Sequence, residues 1–245
     1  MDGFTVHELA ADVTVRITRE MEPLPAALDA KVETLWRRAA LRVEAGGAGR
    51  LFNGRVFSAS VIARTEILGG FTEYRRLVAQ MEDPSLFPEL GIRSLAVCGV
   101  LRCADGVVIG RRPAASIYQP GMWQLSPAGS VDAGAANPDG RIDLTRQLLT
   151  ELREELGLSA DTVGPPTPLC VVEHPGSHVS DLGLALTSPL SGAEVLATHK
   201  ALGNTEYDPL RIVPLSDLPN FLAEAGALVV PPAFEFLRRA GLLPR

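Results

Sequence analysis

The sequence predicts an α+β fold: a mixed β-sheet covered by helices over residues 93–245, preceded by a smaller α+β unit over residues 1–92. Three observations carry this reading. Val13, Val15 and Ile17 alternate with Thr14, Arg16 and Thr18, the period-two signature of a half-buried strand. Two long stretches, 28–44 and 144–158, instead repeat their apolar residues at helical spacing. Residues 84–91, from Pro84 to Gly91, read as a linker between the two units.

A chain of 245 residues with 46% apolar content can build an ordinary core in one or two domains. Its formal charge of −6 gives no general attraction for nucleic acid or an anionic membrane, so neither is expected as a partner. Any polyanionic ligand would have to be held locally. Cys98, Cys103 and Cys170 are odd in number and form no CxxC pair, which reads as reduced, buried thiols. The first fifteen residues lack a basic segment leading into an apolar one, and no apolar run reaches membrane-spanning length, so a cytoplasmic protein is expected.

In chain order, Leu28, Val32, Leu35, Trp36, Ala39 and Val43 predict an amphipathic helix with Trp36 in its core face, ended by Gly46-Gly47. Asn53-Gly54 suits a tight hairpin turn, with a strand following over 56–63. Gly69 to Leu77 reads as the opening of a short helix capped by Thr72. Residues 94–112 form two strands around the turn Ala104-Asp105-Gly106. Arg111 and Arg112 close the second strand, where a guanidinium can bind diphosphate oxygens bidentately; a solvated strand end is the alternative. Strands over 169–172 and 182–186 flank the polar segment Glu173-His174-Pro175-Gly176-Ser177-His178, whose histidines lack an evident fourth ligand for zinc. A strand over 210–214 follows Asn204 to Asp208, Ser216-Asp217 cap the next helix, and 231–241 supplies a terminal helix carrying Phe234, Phe236 and Leu237.

The stretch 144–158, LTRQLLTELREELGL, is the informative one. Glu151, Glu154 and Glu155 share one helical face, beside a stripe of Leu144, Leu148, Leu152 and Leu156, and Gly157 stands where a helix ends. Carboxylates at this spacing repel one another, and a hard divalent cation would offset that repulsion. A solvated acidic face is the alternative.

Upstream, residues 121–132 run through a strand and a Pro-Gly turn towards this helix. Gly129 and the run Glu151-Leu152-Arg153-Glu154-Glu155-Leu156-Gly157-Leu158 resemble the two ends of the Nudix hydrolase box. The middle departs from it. Thr150 stands at the arginine position, twenty-one residues after Gly129 where the family has fourteen, so the intervening loop carries about seven extra residues. The first glutamate of the box falls on Ala135 when counted without a gap, and Asp132, Asp139 or Asp143 could stand in; Arg146 could replace the missing arginine but lies off the carboxylate face.

The resemblance implies a Nudix α/β/α sandwich and Mg²⁺-dependent hydrolysis, with Mn²⁺ as a substitute, of a nucleoside diphosphate linked to another group. Glu151, Glu154, Glu155 and the Gly129 carbonyl are the implied metal ligands, and Glu206, just before a late strand, the implied further carboxylate. A surface loop charge is the alternative at Glu206. Arg111, Arg112 and Trp123 are the residues expected to hold the nucleotide. The segments FNGRVF and GGFTEYRRL are similar to the amino-terminal region of UDP-glucose-type Nudix hydrolases, which implies a UDP-sugar substrate; a turn and a capped helix without a binding role is the alternative. Family members are frequently dimeric, which implies a homodimer. A nucleotide-binding module without turnover is the alternative function, favoured by Thr150 and the lengthened loop.

Overall fold

A computed structural model describes residues 3–47 and 50–244. The chain builds twelve strands and seven helices among the described residues. The main sheet has the order β1 (Thr5–Glu8), β10 (Thr167–Glu173), β11 (Ser180–Thr187), β5 (Leu95–Arg102), β6 (Val107–Arg111) and β12 (Leu210–Val213). Two short strands extend it, β7 (Trp123–Leu125) on β6 and β8 (Ala128–Ser130) on β5.

The central pair, β5 and β11, is parallel, as strands buried on both faces commonly are. Their alternation sorts two cores. Leu95, Val97, Leu101, Leu182, Leu184 and Leu186 face α4 (Leu144–Leu156), whose Leu148, Leu152 and Leu156 are fully buried. Cys98 and Val100 face the opposite layer, formed by α6 (Leu218–Ala225) and α7 (Pro231–Arg239), where Phe236 and Leu237 are fully buried. The result is a sheet between two helical layers. α5 (Gly192–Leu202) packs on α4 and starts with a complete Ser191/Glu194 capping box, a start signal present in the sequence but not read from it.

The amino-terminal part supplies α1 (Ala26–Ala45), α2 (Tyr74–Glu82), the short α3 (Phe87–Leu90), and a second sheet of order β3 (Arg55–Ile62), β4 (Glu66–Glu73), β2 (Thr14–Ile17) and β9 (Arg141–Ile142). The boundary expected between 92 and 93 is crossed repeatedly. β1 is an edge strand of the main sheet, β9 belongs to the amino-terminal sheet, and Val15, Phe57, Ile67 and Phe71 share one buried cluster with Leu95, Val97 and Leu152. Backbone bonds from Phe57 N to Val131 O at 2.8 Å and from Ala59 N to Arg93 O at 2.9 Å join β3 to the main sheet's loops. The described residues before 93 therefore pack as a lobe on a common core.

Several local expectations need correction. Asn53-Gly54 is not a hairpin turn; β3 turns into β4 over residues 63–65 instead. Asn53 works as a side-chain anchor, accepting from Arg75 N at 2.9 Å, while Gly54 O accepts from Tyr74 N at 2.8 Å. Gly69 to Thr72 lie in β4, because pairing with β3 and β2 claims their backbone, and α2 starts only at Tyr74. Residues 84–91 form a 3₁₀ turn and α3, ended by Gly91 in the left-handed region. Trp36 is half-buried, edge-on to Tyr74 at 6.0 Å between ring centroids. Among the described residues no helix is long and apolar enough to cross a membrane.

The shared core predicts one cooperative unfolding transition. Trp36 and Trp123 report on the lobe and the main sheet separately in single-tryptophan variants. Their denaturation midpoints should coincide, and Phe57→Ala should lower both together at a cost of about 3–5 kcal/mol. A lobe that melts first, leaving the Trp123 signal native, would show two independent units.

Candidate active site

α4 is placed by its two ends. Asp143 caps the start, accepting from Arg146 N at 2.9 Å, and Gly157 ends it with φ 70°, a conformation that favours glycine. Its leucine stripe sinks into the core, so the glutamates must emerge along the edge facing β8. There Gly129 meets Glu151 directly: a Cβ at position 129 would overlap the Glu151 carboxylate, so any side chain here would displace that group from the strand.

Gln147, one turn earlier, donates from Nε2 to Glu151 Oε1 at 2.8 Å and accepts from Asp132 N at 3.1 Å. It orients Glu151 and fastens the loop after β8, a holding function the family pattern gives to an arginine. Thr150 takes no part, and Arg146 does not compensate. Arg146 donates instead to Ala135 O at 3.1 Å and to Asn137 Oδ1, inside the lengthened loop. Of the three aspartates considered as stand-ins, Asp132 lines the cleft with Glu151, Asp143 caps α4, and Asp139 accepts from Arg141 N in the exposed turn.

Glu155 departs most from expectation. It is fully buried, and its carboxylate accepts from Ser126 Oγ at 2.9 Å, Ala128 N at 3.1 Å and Tyr207 Oη at 3.3 Å. Burial, reinforced by the nearby Glu206 and Glu151, pushes its pKa far above the usual carboxylate range. Its geometry is that of a brace between helix, strand turn and late loop, with both oxygens engaged internally. Glu154 is exposed, and its backbone carbonyl accepts from Asn204 N at 3.0 Å, docking the loop that carries Glu206.

Three cavities, of about 630, 290 and 160 Å³, meet where Tyr74 and Glu206 stand. The intermediate one is lined by Gly129, Asp132, Glu151 and Glu206, with the exposed Phe52 at its lip. Burial pushes Glu151 up to about 7, helped by repulsion from Glu206, Glu154 and Asp132; burial also raises Glu206, against the pull of Arg112. Arg112 Nη1 lies 4.0 Å from Glu206 Oε1 and 2.5 Å from Gln124 Oε1. Arg55 lines the same cavity, so the cleft sets three carboxylates, Asp132, Glu151 and Glu206, against Arg55 on its wall and Arg112 beside Glu206. Among the described residues no three His, Cys, Asp or Glu side chains converge closely enough to hold a metal ion by themselves. The donor set nevertheless suits a hard cation whose shell is completed by the Gly129 carbonyl, water and ligand oxygens.

Two expected nucleotide contacts lie elsewhere. Adjacent residues of a strand point to opposite faces, so Arg112 enters the cleft while Arg111 turns away and donates to Gly121 O at 3.0 Å. Trp123 is buried in the second core, edge-on to Phe221, with Arg211 stacked on its ring. Tyr74, Tyr118, Gln124, Gln147, Asp181 and Tyr207 line or brace the site without having been singled out from sequence, since nothing local in the chain marks them. His174 and His178 sit apart: the His178 ring stacks on Phe87, and its Nδ1 lies 3.7 Å from Glu173, which Arg93 already pairs.

The strand glycine, the helix carboxylates and the sheet between helical layers are the features in which this chain resembles the Nudix box. No protein-family model and no curated protein sequence matches the chain. Among solved structures it resembles DR0079 from Deinococcus radiodurans, with 19% identity over 76% of this chain and 98% of that one and a TM-score of 0.48. A MutT protein from Methanosarcina mazei Go1 matches at 20% identity over 62% and 96%, TM-score 0.42. RenU, a Nudix hydrolase from M. smegmatis, matches at 19% over 61% and 84%, TM-score 0.41. With each of these TM-scores below 0.5, the chemistry of the site rests on its own residues.

One consequence is a pH-dependent stability. Burial raises Asp181, 8% exposed on β11, to about 7. Between the unfolded value near 4 and that folded value the native state binds more protons, so stability falls as pH rises through this window, by up to roughly 4 kcal/mol. Denaturant unfolding at pH 5 and pH 8 should show a clearly smaller loss for Asp181→Asn than for the parent chain. An equal loss in both would contradict the assignment.

Proposed function

We propose that this chain is a Nudix-type pyrophosphohydrolase that cleaves the diphosphate of a nucleoside diphosphate linked to another group. The observation that carries the reading is the gathering of Glu151, Glu206 and Asp132 around Gly129 in a cleft that Arg55 lines, with Arg112 4.0 Å from Glu206 at its junction with the neighbouring cavities. Glu151, Glu154, Glu206 and the Gly129 carbonyl are the groups that would hold Mg²⁺ or Mn²⁺. When bound, the cation supplies charge neutralisation of the diphosphate and activation of water. Arg112 binds a phosphate oxygen, Gln147 keeps Glu151 oriented, and one cleft carboxylate accepts the proton of the attacking water. Glu155 serves by holding the turn and the late loop in register.

A UDP-sugar is the proposed substrate, giving UMP and a sugar 1-phosphate. Its support is the resemblance of the FNGRVF and GGFTEYRRL segments to UDP-glucose-type enzymes, together with the place of Phe52, Gly54 and Tyr74 on the cleft wall. The reading includes a cytoplasmic homodimer acting on a small molecule. A binding module without turnover is the second reading, favoured by Thr150 and by the internal commitment of Glu155.

Incubation with Mg²⁺ and a panel of nucleotide sugars, with product identification, separates the two. Turnover to a nucleoside monophosphate supports the enzyme; intact substrates with a raised melting temperature support the module. In the enzyme, Glu206→Gln should lower kcat about 10²- to 10⁴-fold with little change in KM. Unchanged kinetics in both Glu206→Gln and Glu151→Gln would remove the cleft carboxylates from the mechanism.

A further inference from the structure

The smallest of the three cavities, about 160 Å³, lies behind Gly129, between α2 and the main sheet. Its apolar wall includes Leu77 and Val97; Glu206 and Tyr74 stand where it joins the cleft, and Asp181, Gln124, Arg112 and Tyr118 are among its polar groups. Asp181 is more than nine-tenths buried, yet its carboxyl makes no hydrogen bond among the described residues, and Arg112 acts on it only through its charge. The Arg112 guanidinium is committed elsewhere, donating from Nε to Tyr118 O at 3.0 Å and from Nη1 to Gln124 Oε1 at 2.5 Å. That second bond uses up the amide oxygen of Gln124 and leaves its Nε2 with no partner among the described residues. Tyr118 Oη, buried near Ser177, makes no hydrogen bond of good geometry either.

A buried carboxyl without a partner is costly, because the desolvation is not repaired within the chain. Here the carboxyl of Asp181 and the half-buried amide of Gln124 line one cavity that opens into the cleft. Burial holds Asp181 up at about 7, so near neutral pH it can accept or share a proton with a ligand group. Size narrows the ligand further. An enclosed cavity of about 150 Å³ takes one benzene ring, so the part of a ligand held inside this one has about the size of a single six-membered ring.

We infer that this cavity is a specificity pocket in which Asp181 and Gln124 read the hydrogen-bonding edge of a single six-membered ring carried by the substrate. The inference rests on the hydrolase reading for the word substrate, but the pocket itself does not depend on turnover. Two parts of a UDP-sugar present such a ring, the pyranose hydroxyls and the pyrimidine base. A purine and a furanose do not.

The test is equilibrium binding by calorimetry without divalent metal, so that hydrolysis does not intervene. UDP-glucose carries both rings, ADP-glucose only the pyranose, UDP only the pyrimidine, and ADP-ribose neither. UDP-glucose should bind the parent chain and lose roughly 10- to 100-fold in affinity in Asp181→Leu, as expected for losing a hydrogen bond to an ionisable group, while ADP-ribose is unaffected. Asp181→Asn keeps the shape and an acceptor and should lose several-fold; it carries the test alone if Asp181→Leu does not fold. Sensitivity of ADP-glucose but not UDP assigns the pocket to the sugar, and the converse to the base. Failure of UDP-glucose to bind the parent chain, equal affinity in parent and variants, or an equal loss for ADP-ribose would each overturn the pocket. Binding without Mg²⁺-dependent turnover would sink only the hydrolase reading, and turnover indifferent to Asp181 only the pocket.

Discussion

The carboxylate of Glu155 ties together three segments that the chain keeps far apart. Its bonds to Ser126 and Ala128 fix the turn that presents Gly129, and its bond with Tyr207 fixes the loop that presents Glu206. The backbone repeats the theme: Glu155 O lies 2.8 Å from His199 Nδ1 at the end of α5, and Glu154 O accepts from Asn204 N. A fully buried carboxyl is worth keeping only where every oxygen is satisfied, and that condition is met here by three different elements. The placement of Glu151, Gly129 and Glu206 around one cleft follows from this junction.

The lengthened loop between β8 and α4 has a structural use of its own. Its residues Arg141–Ile142 form β9, which pairs with β2, so the insertion that stretches the motif also fastens the amino-terminal lobe beside the cleft. That lobe in turn delivers Tyr74 and the lip residue Phe52 to the cleft. The arginine missing at Thr150 is replaced functionally by Gln147, which reaches Glu151 from one turn earlier. A neutral amide orients a carboxylate without cancelling its charge, which leaves the cleft with an electrostatic cost that a cation is suited to relieve.

Much of this was legible in the chain. The leucine stripe and Gly157 define α4 within one or two residues, period-two alternation locates β2, and the turn at Ala104-Asp105-Gly106 between apolar runs locates β5 and β6, because these signals are local to the chain. What was not legible depends on partners distant in sequence. Gly69 to Thr72 carry helix-start residues but lie in a strand because β3 pairs with all four, and β2 pairs with Gly69 on the other side. Glu155 was indistinguishable from Glu151 on a helical wheel, and only the turn packed above it makes one a brace and the other a cleft residue. Arg111 and Arg112 were equivalent in composition, and strand alternation sends just one of them to the cleft.

The proposed hydrolase requires a divalent cation that binds the folded chain at the cleft carboxylates. The most direct measurement is the melting temperature against MgCl₂ concentration at fixed ionic strength near pH 7.5, for the parent chain and for Glu206→Gln. A cation that binds only the native state raises stability in a saturable way by mass action. The account predicts such a rise for the parent chain and a much weaker one for the variant. A melting temperature indifferent to Mg²⁺ in the parent chain, or an identical rise in both, would contradict it.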